Sequence, residues 1–115
     1  MCIRDRTSDG SPLCEMAACI GAGAHPNLIP VLGHLERHPK GAHGLVMSLI
    51  DPEFINLAGP PSLESCTRDV YDAGKRFDLA STLEIAHGIA SAAARLHQRG
   101  IMHGDLYGHL SLIHI

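Results

Sequence analysis

The sequence predicts an α+β fold that is only part of a layered domain. Three observations carry this. Leu79, Leu83, Ala86, Ile89, Ala90, Ala93 and Leu96 form an apolar stripe with a period of about 3.6 residues, the mark of an amphipathic helix. Residues 28–35 and 44–50 are short apolar runs bounded by Pro, Gly and polar residues, and so read as strands. Two helices and two strands cannot cover one another completely, because each must bury its apolar side against a further layer.

Composition narrows the chemistry. The chain has 115 residues and is 45% hydrophobic, enough for a core. Aromatic residues make up 3% and Trp is absent, so Leu, Ile, Val and Ala must build that core. A formal charge of −3 argues against a nucleic-acid surface, which needs a basic stripe. Cys2, Cys14, Cys19 and Cys66 form no Cys-x-x-Cys pair and have no secretory context, so they read as reduced thiols of a cytoplasmic protein. No apolar run approaches the ~18 residues of a membrane span, and the polar, charged start shows no signal peptide.

Residues 1–6 and 110–115 stand apart from the fold. Met1-Cys2-Ile3-Arg4-Asp5-Arg6 can be encoded by ATGTGTATAAGAGACAG plus one base. Leu110-Ser111-Leu112-Ile113-His114-Ile115 can be encoded by CTGTCTCTTATACACATC. The reverse complement of the second contains the first without a mismatch. Such an inverted repeat resembles a transposase-type sequencing adapter. The expectation is that residues 7–109 are natural sequence and that both tips are not. Different codons in the nucleotide record would refute this.

Within residues 7–109, Ser11-Pro12 opens a helix, with Ser as N-cap and Pro at the first helical position. Leu13, Met16, Ala17 and Ile20 follow at helical spacing, and Gly21 and Gly23 end it. His25-Pro26-Asn27 is a turn. The first strand covers residues 28–35, with Pro30 restricted to an edge or a bulge. Residues 36–43 are a polar turn, and residues 44–50 form a second strand, antiparallel to the first. Residues 51–77 carry Pro52, Gly59, Pro60, Pro61 and Gly74 and read mostly as loop, with room for one or two helical turns over residues 63–71. Arg68 and Asp69 read there as an exposed charged pair.

The long helix is the most secure element. Ser81-Thr82-Leu83-Glu84 fits a capping box, with Asp78 as the rival cap. Gly100 stands where a C-terminal glycine belongs, behind Arg95 and Arg99. The alanines let neighbours approach, so a buried central helix is expected. Ile101-Met102 then leads into His103-Gly104-Asp105-Leu106-Tyr107-Gly108-His109. An acidic residue beside a histidine, on a polar loop behind a rigid helix, suits a general base. His97, His103 and His109 recur every sixth residue, a spacing that fits neither one helix face nor the usual zinc patterns.

Order and residues together resemble a protein kinase domain, from its αC helix to its catalytic loop. His25-Pro26-Asn27-Leu28-Ile29 is similar to the entry to the fourth kinase strand, and Gly44-Leu45-Val46-Met47 to the fifth strand that leads to the hinge. Leu96-His97-Gln98-Arg99-Gly100-Ile101-Met102-His103 is similar to the passage from the αE helix into the catalytic loop. The resemblance implies an incomplete protein-kinase-like two-lobe fold. Residues 7–50 would be part of the N-lobe, residues 51–78 the hinge and connector, and residues 79–109 part of the C-lobe with its catalytic loop.

The resemblance also implies a chemistry. ATP with Mg2+ would donate its γ-phosphoryl group to a Ser, Thr or Tyr hydroxyl of a protein substrate, mainly through positioning and electrostatics. Asp105 would accept the hydroxyl proton and His103 would orient the loop. Backbone groups of Ser48, Leu49 and Ile50 would meet the adenine, with Met47 as gatekeeper behind it. Glu15 would pair with the strand lysine of the N-lobe.

The departures from the pattern are specific. Gly104 stands where many protein kinases have the Arg that meets a phosphorylated activation loop, and Tyr107 where serine/threonine kinases have Lys. Ser48 replaces an acidic hinge residue, and Leu110 falls where the magnesium Asn belongs, although on the adapter reading Leu110 is the first non-natural residue and the parent would read on to the Asn. No glycine-rich phosphate loop and no Asp-Phe-Gly site occur in the chain. The chain as given is therefore expected to be inactive and to expose apolar faces. Two alternatives stay open. His-Gly-Asp-Leu is also the habitual loop of small-molecule kinases of the aminoglycoside and choline type, although the connector of residues 51–78 is short for their helical insertion. A pseudokinase acting as a binding module is the other.

Overall fold

The structure, a computed structural model, describes residues 12–38, 41, 43–66 and 68–114. Its elements run in the order α1 (Pro12–Ala22), β1 (Val31–Leu35), β2 (Gly44–Met47), β3 (Ile55–Asn56), α2 (Leu79–Gln98), a 3-10 turn (Gly108–Leu110) and β4 (Leu112–Ile113). The fold is α+β, with two small antiparallel sheets, β1–β2 and β3–β4.

α1 begins at Pro12, as the fixed φ of proline at a first helical position favours. The expected cap, Ser11, lies outside the described residues. The helix closes at Ala22, where the Gly23 amide donates to the Ile20 carbonyl at 3.2 Å.

β1 and β2 pair antiparallel, with Val31 opposite Met47 and Leu35 opposite Gly44. Both strands are shorter than the apolar runs that predicted them. The reason at the first is Pro30, which lacks an amide hydrogen for the ladder. Pro30 instead ends the pairing through its carbonyl, which accepts from the Ser48 amide at 3.0 Å. The register slips between Val31 and Gly33, placing a bulge one residue beyond the proline. Ser48, Leu49 and Ile50, expected inside the second strand, lie beyond its end.

The connector is more structured than its prolines and glycines suggested. β3 pairs with β4, Ile55 opposite Ile113 and Asn56 opposite Leu112, so residues 112–113 join the fold from which residues 110–115 were expected to stand apart. Gly59 and Val70 exchange both backbone hydrogen bonds, at 2.7 and 3.2 Å, and so fold residues 59–70 back on themselves. Residues 63–66 make a turn rather than a helix. There Ser62 and Ser65 cap each other, each hydroxyl oxygen accepting the other's amide, at 2.9 and 3.2 Å.

α2 is set by its caps. Asp78, not the Ser81 box, is the N-cap: its Oδ1 accepts from the Ser81 amide at 2.7 Å. These hydrogen bonds hold the Asp78 carboxyl below the usual aspartate range, against a smaller opposing effect of burial. At the other end, the Gly100 amide donates to His97 O and the Ile101 amide to Leu96 O, both at 2.9 Å. This is a Schellman closure.

The expectation of a buried central helix fails. Leu96 is the buried residue of α2, whereas Leu79 and Leu83 are 75% and 60% exposed. Among the described residues the buried apolar positions are Ala22, Ala58, Leu96 and Ile113. Leu49, Leu63 and Met102 lie almost wholly in solvent. The physical reason is a shortage of partners: the elements present are too small to cover a helix of 20 residues.

The α1 end and the turn after it dock on α2. The Arg95 guanidinium donates to the Ala22 carbonyl at 3.1 Å. His25 Nδ1 accepts the Asn27 amide at 3.1 Å, which leaves the neutral ring's proton on Nε2. Nε2 meets the Ser91 hydroxyl at 3.2 Å. One ring thus closes its own turn and ties that turn to a helix 66 positions away. Gly88 gives room for it, since a Cβ there would stand 3.0 Å from Asn27 Nδ2.

Candidate active site

Asp105 lies in the loop that leaves α2 through the Schellman closure. The loop is irregular and exposed from residue 102 to residue 107. Gly104 has φ +72°, the left-handed region that disfavours side chains. An Arg at this position would be strained in this conformation, which gives glycine here a local physical reason. The Asp105 amide points at His103 Nδ1 across 3.4 Å, a long contact. His103 is exposed, so it meets the loop by this contact and not by packing.

The other residues singled out lie in two further places. Glu15 is exposed on α1 and has no ion-pair partner among the described residues. It stands one helical turn before Cys19. Burial pushes the Cys19 thiol up, and the Glu15 charge pushes it further. A raised thiol pKa fits an inert cysteine. Met47 closes β2 opposite Val31 and is half exposed. The Ser48 amide is taken by Pro30 O, whereas the backbone groups of Leu49 and Ile50 have no partner among the described residues. No hydrogen bond or ion pair joins Asp105 to Glu15 or to residues 47–50 among the described residues.

The residues beyond Asp105 are held far more firmly. Asp69 Oδ2 accepts the Gly108 amide at 2.6 Å. Asp69 Oδ1 accepts from the His109 ring Nδ1 at 2.5 Å and faces the His109 amide at 3.4 Å. The two side chains are 10% and 20% exposed, so the pair is largely out of water. Burial alone would raise the Asp69 pKa. The hydrogen bonds from the His109 ring and from the Gly108 and His109 amides, with the charge of His109, overcome it and hold the carboxyl below the usual aspartate range. Tyr107 stacks on His109 with 5.7 Å between centroids, and Asn56 Nδ2 donates to the His109 carbonyl at 2.9 Å.

This arrangement corrects the expectation of an exposed Arg68–Asp69 pair: Asp69 turns inward to a partner 40 residues away. Gly108 is enclosed in the same place. A Cβ on it would lie 2.6 Å from the Tyr71 hydroxyl and 3.1 Å from both Ala58 Cβ and Asp69 Oδ2. Sequence reasoning gave Asp69 the wrong partner and missed the roles of Asn56, Tyr71 and Gly108. The glycine in a polar loop was the one visible signal.

Two clefts lie away from Asp105. One, of about 300 Å3, is bordered by His25, Ser91, Arg95 and Gln98. The other, of about 600 Å3, runs between the connector and α2 and is lined by Leu57, Tyr71, Phe77, Ile85 and Ile89, among others. Among the described residues no group of three His, Cys, Asp or Glu side chains could hold a metal ion. Among them no helix is long and apolar enough to cross a membrane. Compared with family models, with curated proteins and with solved structures, the chain matches none.

Proposed function

We propose that the chain is a piece of an ATP-dependent protein kinase, inactive as given, in which Asp105 is the base for the acceptor hydroxyl. One observation carries this: His25-Pro26-Asn27, Gly44 to Met47, Leu96 to His103 and Asp105 follow in kinase order and spacing. Two structural features support it. The His25-Pro26-Asn27 turn docks on α2, so the pieces assigned to the N-lobe and the C-lobe meet. Asp105 follows the capped end of the long helix on an exposed loop, within reach of a bulky acceptor.

In that role the Asp105 carboxylate accepts the proton of the incoming hydroxyl and aims its oxygen at the phosphoryl group. The unpaired backbone of Leu49 and Ile50 offers donors and acceptors for a purine edge, with Met47 beside them. The residues present do not fit Mg2+. Position 110 is Leu, which has no ligating atom, and no acidic cluster takes its place among the described residues. No step is therefore assigned to the metal, and neither tight ATP binding nor turnover is expected of this chain.

The gene on either side of residues 7–109 provides the test. The kinase assignment expects a glycine-rich loop and a lysine upstream, and an Asn and Asp-Phe-Gly downstream. In the product of that gene, Asp105→Asn should lower phosphoryl transfer at least ~1000-fold, the scale of a lost catalytic base with its positioning. A gene lacking all four features would overturn the assignment. The left-handed φ of Gly104 within His103-Gly104-Asp105-Leu106, which suits glycine and not Arg, favours one second reading, a small-molecule kinase. Transfer to an aminoglycoside or to choline, and not to protein, would select it.

A further inference from the structure

We infer that Asp69 is a positioning residue for the loop that carries Asp105, clamping its downstream half to the connector. The clamp stands on geometry alone. What the loop does chemically rests on the proposed kinase function.

Between Gly100 and Asp105 the loop has the α2 closure behind it and one long contact, from the Asp105 amide to His103. A loop tethered at one end leaves its central carboxylate poorly aimed, and misplacement by about 1 Å can cost ~100-fold in rate. The second tether is the Asp69 carboxylate. Both of its oxygens are used, one on the Gly108 amide and the other on the His109 ring. A carboxylate that receives a backbone amide and an imidazole N–H fixes backbone path and side chain together.

The surroundings close tightly on Gly108. Gly108 fits against the Tyr71 hydroxyl, Ala58 and Asp69 with no space for a Cβ. Asn56 holds the next carbonyl from the far side. Every one of these contacts comes from the connector of residues 51–78. The connector therefore does more than join two parts of the chain: it carries the seat for the end of the loop. Asp69 touches neither acceptor nor nucleotide in this scheme. It acts through the position of Asp105, three residues before Gly108.

Amide hydrogen exchange on this 115-residue chain tests the clamp without reference to activity. Asp69→Ala should speed exchange at Gly108 and His109 about tenfold or more, with amides of α2 unchanged. Asp69→Asn, which keeps an oxygen acceptor, should recover most of the protection at Gly108. Unchanged exchange at Gly108 in Asp69→Ala, or an equal rise throughout α2, would overturn the clamp. If Asp69→Ala does not fold, His109→Ala decides instead. There Gly108 should stay protected through Asp69 Oδ2, and loss of its protection would overturn the clamp. In the full gene product, Asp69→Ala should lower kcat about tenfold at unchanged KM for ATP, with recovery in Asp69→Asn. Equal changes in kcat and KM, or no recovery, would refute the positioning role. If the unaltered gene product transfers no phosphoryl group, the kinase assignment fails, while the exchange result on the clamp still stands.

Discussion

The two places where distant segments meet are built on opposite principles. At the first, the α1 end and the His25 turn sit on α2 through single hydrogen bonds, His25 to Ser91 and Arg95 to Ala22. Each donor is a long or swivelling side chain at a partly open surface. At the second, the connector grips residues 107–109 through a carboxylate with both oxygens occupied, beside a glycine with no room for a methyl group. The first joint is tied at separate points. The second fixes one geometry. The contrast teaches where this chain concentrates its limited packing: on residues 107–109 and not on the faces of its longest helix.

The largest effect should come from the buried side chain of α2, the helix that receives the first joint. Leu96→Ala removes the buried side chain of α2 and should cost about 3 kcal/mol, the usual loss for a buried Leu truncated to Ala. Helicity by circular dichroism under denaturant should report it. Fluorescence of Tyr71 and Tyr107, the tyrosines of a chain without Trp, should stay unchanged if the second joint is independent. A parallel change in both signals would mean that the joints form one unit.

Gly108→Ala should do the reverse. The new methyl group meets the Tyr71 hydroxyl at 2.6 Å and must displace it, at a cost of about 2 kcal/mol as for other overpacked sites. Tyrosine fluorescence and exchange at Leu57, whose amide donates to Ser111 O at 2.8 Å, should shift while α2 helicity holds. Equal protection at Leu57 in both proteins would show that the enclosure of Gly108 is unimportant.

Acid should produce the smallest and most selective change. The folded-state pKa of Asp69 lies below its unfolded value of about 3.9, so its contribution to stability is fully present above that value. It is lost as pH falls through the folded value, when the carboxylate is neutralised. Tyrosine fluorescence should therefore be flat at mildly acidic pH and change below about pH 4. Asp69→Asn should remove that step. A step that survives in Asp69→Asn would belong to another group, such as Asp78, whose carboxyl is also held low.

How much of this was legible in the sequence follows the range of the interactions. The caps of α2 lie within a few residues of the helix, so Asp78 and Gly100 could be marked in advance. The antiparallel pairing of β1 and β2 follows from two apolar runs and a polar turn. Their ends were overdrawn because an apolar residue beyond the last ladder bond looks like one within it. The loop with Asp105 was marked from its residue types and lies exposed after the helix. The joining of the His25 turn to Ser91, the pairing of β3 with β4 and the Asp69 clamp were not legible.

The sequence by itself determined the α+β character, the two helices, the hairpin and the loop that holds Asp105, because each rests on periodicity or on hydrogen bonds between near neighbours. Only the tertiary structure decided which carboxylate meets which histidine. Asp69 has Arg68 beside it and His109 40 residues away, and proximity in sequence favoured the wrong partner. Solvent explains the choice. An exposed pair with Arg68 gains little in water, whereas a largely buried carboxylate needs donors for both oxygens, and the folded loop supplies them in Gly108 and His109.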